Sequence, residues 1–153
     1  MPSTEPDAHT AQVDVRGPRF TAWVTTAVLV AVLLTVEISP AATTVLLGAQ
    51  AVVFALGAVW GPRRHPYGVL YARLVAPRLG PVTEREPVAP LRFAQLVGLV
   101  FAVIGIVGFT VAPVVGLTAT AFALTAAFLN AAFGICLGCQ LYPLVARLRP
   151  TPV

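Results

Sequence analysis

Two cysteines, Cys136 and Cys139, stand three residues apart in a 153-residue chain that holds no other thiol. On a helix this spacing brings both sulfurs onto one face, as reversible dithiol–disulfide exchange and metal ligation both require. Gly138 between them removes a side chain, leaving room for a partner or for backbone adjustment when a bridge closes. A reading without chemistry stands beside these, because free cysteine is among the most buried residue types and the pair could simply pack. The local charges are Arg147 and Arg149. These, or Arg63, Arg64 and His65 arriving from elsewhere in the fold, would favour a thiolate, whereas a helix C-terminus in apolar surroundings would oppose it. Cys136, at the deeper position, is expected to be the shielded resolving thiol and Cys139 the exposed attacking one.

The neighbours of the pair narrow the chemistry. A closed zinc site needs four ligands, and His65 and His9 lie at no ligand spacing from the cysteines, so no metal and no cofactor are expected. Residue 140 is Gln140, which excludes the haem-attachment pattern Cys-X-X-Cys-His. Asn130, Gln140 and Tyr142 flank the pair as candidate supporting groups. Asn130 and Gln50 are polar groups at membrane depth, best read as interhelical hydrogen-bonding residues. No Ser/His/Asp set, phosphate-cradling loop or transmembrane chain of acids and histidines accompanies them.

The elements that must position the dithiol are membrane spans. A hydrophobic fraction of 58%, a charged fraction of 10% and a mean hydropathy of +0.86 make the bilayer the natural solvent, since soluble domains carry roughly a quarter charged residues. The net charge of +4 comes from arginines that flank apolar segments, with no basic stripe of the kind nucleic acid requires. Residues 20–38, 41–60, 93–112 and 114–139 form four apolar runs, each long enough to cross about 30 Å of hydrocarbon as a helix. Ser39-Pro40 and Ala112-Pro113 break them into two hairpins, and Gly61-Pro62 ends the second span. The last apolar stretch, continuing to Tyr142, exceeds a span and must tilt, kink near Gly134, or leave the bilayer before its end. Gly98, Gly105 and Gly108 permit close approach of the third span to its neighbours.

Between spans two and three, Tyr67, Leu70, Tyr71, Leu74 and Val75 recur at helical spacing with Arg73 and Arg78 on the other side. This pattern predicts a short amphipathic helix at the membrane surface, followed by an extended connector through Pro77, Pro81, Pro87 and Pro90. Residues 1–15 are polar and are expected to form a disordered tail, leaving 16–149 as one all-α, four-helix transmembrane domain. No basic n-region leads into the first apolar run, so that run is expected to be retained. Arginines cluster at the N-terminal flank, the central loop and the C-terminal tail but not at the Ser39-Pro40 and Ala112-Pro113 turns, placing both termini in the cytoplasm. Cys136 and Cys139 fall on the same side.

A weak internal repeat relates the halves. Arg19-Phe20-Thr21-Ala22 resembles Arg92-Phe93-Ala94-Gln95, and Ala55-Leu56-Gly57-Ala58 resembles Cys136-Leu137-Gly138-Cys139, so alanines would occupy the places of the thiols in the first half. Two hairpins of equal topology would be related by an axis along the membrane normal.

Pro18-Arg19-Phe20, Gly61-Pro62-Arg63 with Pro66-Tyr67, Pro77-Arg78-Leu79-Gly80-Pro81, and above all Phe128-Leu129-Asn130-Ala131-Ala132-Phe133-Gly134 leading into Cys136-Leu137-Gly138-Cys139 and Tyr142 resemble a bacterial integral membrane family, domain of unknown function 4395. The resemblance covers residues 13–148. It implies a small protein of the bacterial cytoplasmic membrane, with a thioredoxin-like or rhodanese-like protein as partner in thiol redox or sulfur handling. The expected function is therefore thiol–disulfide exchange or sulfur transfer by a membrane-embedded dithiol. The alternatives are a non-catalytic accessory subunit and a small transporter of a sulfur species, the last needing a homo-oligomer to build its pathway. Whether the chain is an enzyme stays open, and its expected partners beyond the soluble protein are the lipid bilayer and a second copy of itself.

Overall fold

The computed structural model describes residues 11–149. Four long helices dominate it: α1 (Arg16–Thr35), α2 (Pro40–Trp60), α4 (Val88–Val111) and α5 (Pro113–Phe133). All four are long and apolar enough to span a bilayer, with mean hydropathies from 1.5 to 2.3. Two shorter helices, α3 (Pro66–Leu70) and α6 (Leu137–Leu148), follow α2 and α5. α1, α2 and α4 lie within about five residues of the first three apolar runs. The fourth does not run to residue 139, because the helix stops at Phe133 and a new one begins at Leu137.

Local chemistry sets these boundaries. Pro113 and Pro40 occupy the first helical positions, where the missing N–H costs nothing, and Ser39 Oγ accepts the Ala42 N–H at 3.2 Å. Within the spans, Thr26, Thr43 and Thr120 return their hydroxyls to the carbonyl one turn earlier, so they need no partner in hydrocarbon. α1 packs on α2 and α5, and α4 packs on the same two, closing the four into a ring. Leu29, Val32, Leu47, Ala51, Phe54, Ala102 and Ala123 fill its centre. α4 and α5 come closest at Gly108 and Gly116, where an added Cβ on either would strike the other helix.

The ends away from the Ser39 and Ala112 turns carry more order than expected. Residues 12–14 are not part of a loose tail: β1 (Gln12–Asp14) pairs antiparallel with β2 (Arg85–Pro87), Val13 opposite Glu86. Residues 1–10 lie outside the described residues. Asp14 ties this ribbon down, bonded to Arg16 at 2.9 Å and accepting the Tyr71 hydroxyl at 3.0 Å. Burial raises the Asp14 carboxyl's affinity for protons, but these hydrogen bonds outweigh it and leave its pKa below the usual value. The connector is shorter than expected too, since Pro87 closes β2 and Pro90 sits in the first turn of α4, where proline is tolerated.

The segment after α2 continues from α3 into one π-helical turn, Tyr71–Val75, and one tight turn, Ala76–Arg78. Arg73 and Arg78 are exposed as expected. The aromatic face, however, is turned inward: Tyr71 is buried against Phe20 and Gly17, while Leu70 and Leu74 remain outside.

The halves repeat one another in their contacts. Arg92 at the start of α4 donates to the Ala58 and Val59 carbonyls at the end of α2, at 2.9 and 2.8 Å. Arg19 at the start of α1 donates to the Ala131 and Ala132 carbonyls at the end of α5, both at 3.4 Å. Phe20 meets Tyr71 at 5.8 Å between ring centroids and Phe93 meets Tyr142 at 5.9 Å. Gly61 (φ 77°) and Gly134 (φ 70°) end α2 and α5, and both positive-φ conformations favour a residue without a side chain. Arg19/Arg92, Pro40/Pro113 and Gly61/Gly134 share one constant offset along the chain. These equivalences correct the register read from sequence. Past the glycine the second half is two residues shorter, so by its place as cap of the following short helix the counterpart of Cys136 is His65 and not Ala55.

Candidate functional site

Gly134 is the residue that makes the site. It takes the left-handed conformation after α5, its N–H returning to the Asn130 carbonyl at 3.0 Å and the Ile135 N–H to the Leu129 carbonyl at 3.2 Å. This αL closure, with the Ile135 bond outside it, satisfies carbonyls of the last turn of α5 and turns the chain sharply. Cys136 then becomes the cap of α6, its sulfur accepting the Cys139 N–H at 3.2 Å. The pair therefore lies at a helix N-terminus and not, as the sequence suggested, at the exit of a long span. The two residues are bonded as a disulfide with a Cα–Cα separation of 5.2 Å.

The supporting residues take more specific places than sequence assigned them. Gly138 does not open space for a partner, since an added Cβ there would lie 2.7 Å from Ala94 Cα and Cβ. It is the contact by which α6 lies down on α4, reinforced by Tyr142 against Phe93. Asn130 caps Gly134 through its carbonyl and lines a cavity beside Cys136. Gln140 is exposed and its N–H continues α6 to the Cys136 carbonyl at 3.1 Å. Pro143 sits within α6 and lacks the N–H that would otherwise bond the Cys139 carbonyl.

The cation brought near this turn is Arg19, whose guanidinium carbon would lie 3.9 Å from a Cβ on Gly134. Arg63 is committed elsewhere, donating to the Gln12 carbonyl, and Arg147 is exposed in the last turn of α6. His65 does not approach the thiols either. It is 2% exposed, and its ring carbon would meet a Cβ on Gly57 at 2.6 Å, beside the Gln95 side chain. Its Nδ1 accepts the Tyr67 N–H at 3.2 Å, and Tyr67 in turn donates its hydroxyl to Gln50 Oε1 at 2.9 Å. Burial, only partly opposed by Gln95, lowers the His65 pKa to about 4 and keeps the ring neutral at pH 7. His65 Nε2, Gln95 Oε1 and Gln50 Nε2 are buried without a hydrogen bond of good geometry.

Gln95 also reaches the cavity that Cys136 borders. This space of about 280 Å³ lies between α1, α4, α5 and α6, with Phe54 of α2 at its edge. Its origin follows from the repeat. Phe54 covers Gly98, where a Cβ would come within 2.7 Å of the ring, whereas the residue at the matching place of α5 is Ala127, which lines the cavity together with Thr25. A phenyl ring fills one half of the bundle, and a methyl group leaves the other open. Nothing in the local pattern around Cys136 announces Arg19, Gln95 or Ala127. Gly134 followed two residues later by Cys136 was the readable signal, a helix stop before a helix start. Among the described residues, no group of three or more His, Cys, Asp or Glu is placed to hold a metal.

Four apolar spans carrying a disulfide across the first turn of a short terminal helix define a polytopic helical membrane protein with a Cys-X-X-Cys site. Residues 13–147 match the family described as Domain of unknown function (DUF4395), and the chain belongs to it. No curated protein and no solved structure matches it.

Proposed function

We propose that Cys136 and Cys139 cycle between disulfide and dithiol in exchange with a soluble thioredoxin-like or rhodanese-like protein. The observation that carries this reading is the Cys136 sulfur at the N-terminus of α6, accepting a backbone N–H in the disulfide state. Cys136 leaves readily as a thiolate when the bridge opens, because a helix N-terminus favours the anion. An incoming thiolate therefore attacks Cys139, and the mixed disulfide forms there while Cys136 is released. Arg19, reaching the same turn from α1, adds positive charge to this end of the bundle.

The arginines of the N-terminal flank, the central loop and the tail support the reading that this end faces the cytoplasm and that the chain belongs in the bacterial cytoplasmic membrane. In cells, Cys136→Ser is expected to retain a partner covalently on Cys139, recoverable after non-reducing electrophoresis, and Cys139→Ser to retain much less. Recovery of no partner with either variant, together with unchanged growth under oxidant, would overturn the reading in favour of a structural pair.

A further inference from the structure

We infer that the cavity beside Cys136 is the binding site of a lipid-soluble quinone, which removes electrons from the Cys136/Cys139 dithiol. The inference rests on the exchange chemistry proposed above and names its electron acceptor. A dithiol that is oxidised and returned needs a two-electron co-reactant, and a group embedded in a bilayer meets lipid-soluble ones first. The cavity has the form such a ligand requires, an apolar chamber with a few polar groups and one residue of the cysteine pair, Cys136, in its wall. Phe101, Leu137 and Leu141 supply apolar lining, while Gln95 and Asn130 supply carboxamides able to donate to ring carbonyl oxygens. Phe122 lines the cavity and is 62% exposed, so the chamber reaches the lipid-facing side of α5. An isoprenoid tail has a way out there.

The step balances without further reagents. The dithiol loses two electrons and two protons, its two S–H bonds break and one S–S bond forms. The quinone takes up both electrons and both protons, and its two carbonyls become hydroxyls. A soluble dithiol then attacks Cys139, restores the membrane dithiol and leaves as a disulfide. The net reaction passes hydrogen from soluble thiols to the quinone pool. Gln95 connects the chamber to the second half of the molecule, since its side chain also lies against His65 at Gly57.

The test uses the full chain in lipid nanodiscs, reduced, freed of reductant under anaerobic conditions and mixed with decylubiquinone or with a menaquinone analogue. Quinol formation is followed by absorbance and thiol oxidation by alkylation mass shift, and reduction of the oxidised protein by reduced dithiothreitol is measured in parallel. One quinone is expected to be consumed per dithiol. Ala127→Phe, which places in α5 the ring that α2 already carries at Phe54, is expected to slow quinone reduction by about tenfold or more while dithiothreitol exchange is unchanged. Gln95→Leu, which keeps the bulk of the side chain, should slow it likewise and serves if Ala127→Phe does not assemble. Wild-type protein that exchanges with dithiothreitol yet reduces neither quinone overturns the quinone site alone, leaving the chamber to a lipid acyl chain. Equal quinone rates in wild type and both variants also overturn it. Failure of the dithiothreitol exchange itself would instead remove the exchange reading on which the site depends.

Discussion

At the scale of single residues, the position of one sulfur decides the chemistry. Cys136 caps a helix, and in the proposed exchange Cys139, one turn on, is the sulfur left for an incoming thiol. In the reduced protein, Cys136 is expected to react with iodoacetamide faster than Cys139 at neutral pH, which peptide mass spectrometry resolves. His65 occupies the matching cap in the first half and does structural work there. Its pKa is lowered from 6.5 to about 4, so the unfolded chain binds its proton more readily than the folded one. Its contribution to stability is complete above about pH 6.5 and is lost progressively as pH falls toward 4. The whole interval is worth about 3 kcal/mol on the order-of-magnitude scale of 1.36 per unit. Thermal unfolding in nanodiscs should therefore weaken on acidification through this window, and His65→Asn should flatten that part of the profile.

At the scale of elements, two glycines hold the site in different ways. Gly134 supplies a left-handed conformation, and Gly134→Ala is expected to cost about 1–2 kcal/mol because its side chain would crowd the carbonyl. Gly138 supplies a contact, and Gly138→Leu must lift α6 from Ala94, at about 1–3 kcal/mol or more of overpacking. The two substitutions separate by readout. Lifting α6 should raise the alkylation rate of both reduced thiols, whereas Gly134→Ala should shift unfolding with little change in that rate. The pairing of β1 with β2 and the bonds from Asp14 to Arg16 and Tyr71 restrain the chain on the same end.

For the whole molecule, the duplicated contacts predict duplicated energetics. Arg19 and Arg92 each cap the C-terminal carbonyls of a helix in the other half, so Arg19→Met and Arg92→Met should each cost about 1 kcal/mol. Their effects should add, because the two caps serve separate helices. The halves differ where the first is packed and the second open. Gln50, Phe54 and Gly57 of α2 correspond to Ala123, Ala127 and Asn130 of α5, which exchanges a filled interface for a chamber beside the disulfide. Alkylation of the thiols in intact cells and in inverted vesicles, before and after oxidant, should label them from the cytoplasmic side and only when reduced. Labelling from the outside would reverse the proposed orientation.

The apolar runs, the prolines at Pro40 and Pro113 and the arginine flanks determined by themselves that this chain spans a membrane four times and that its two cysteines lie at one end. Those features are local, since bilayer thickness fixes the length of a span and proline breaks a helix whatever surrounds it. The family was legible too, in the segment from Phe128 to Tyr142. What the tertiary structure decided depends on partners distant in sequence. Gly134 reads as a kink or as a stop until its backbone and that of Ile135 are seen to close α5, and only then does Cys136 become a cap rather than a span residue. Gly138 looks like free space until Ala94 is found against it. The true register of the repeat, His65 opposite Cys136, appears only through contacts between halves, because small apolar residues resemble one another along a sequence but not in what they touch.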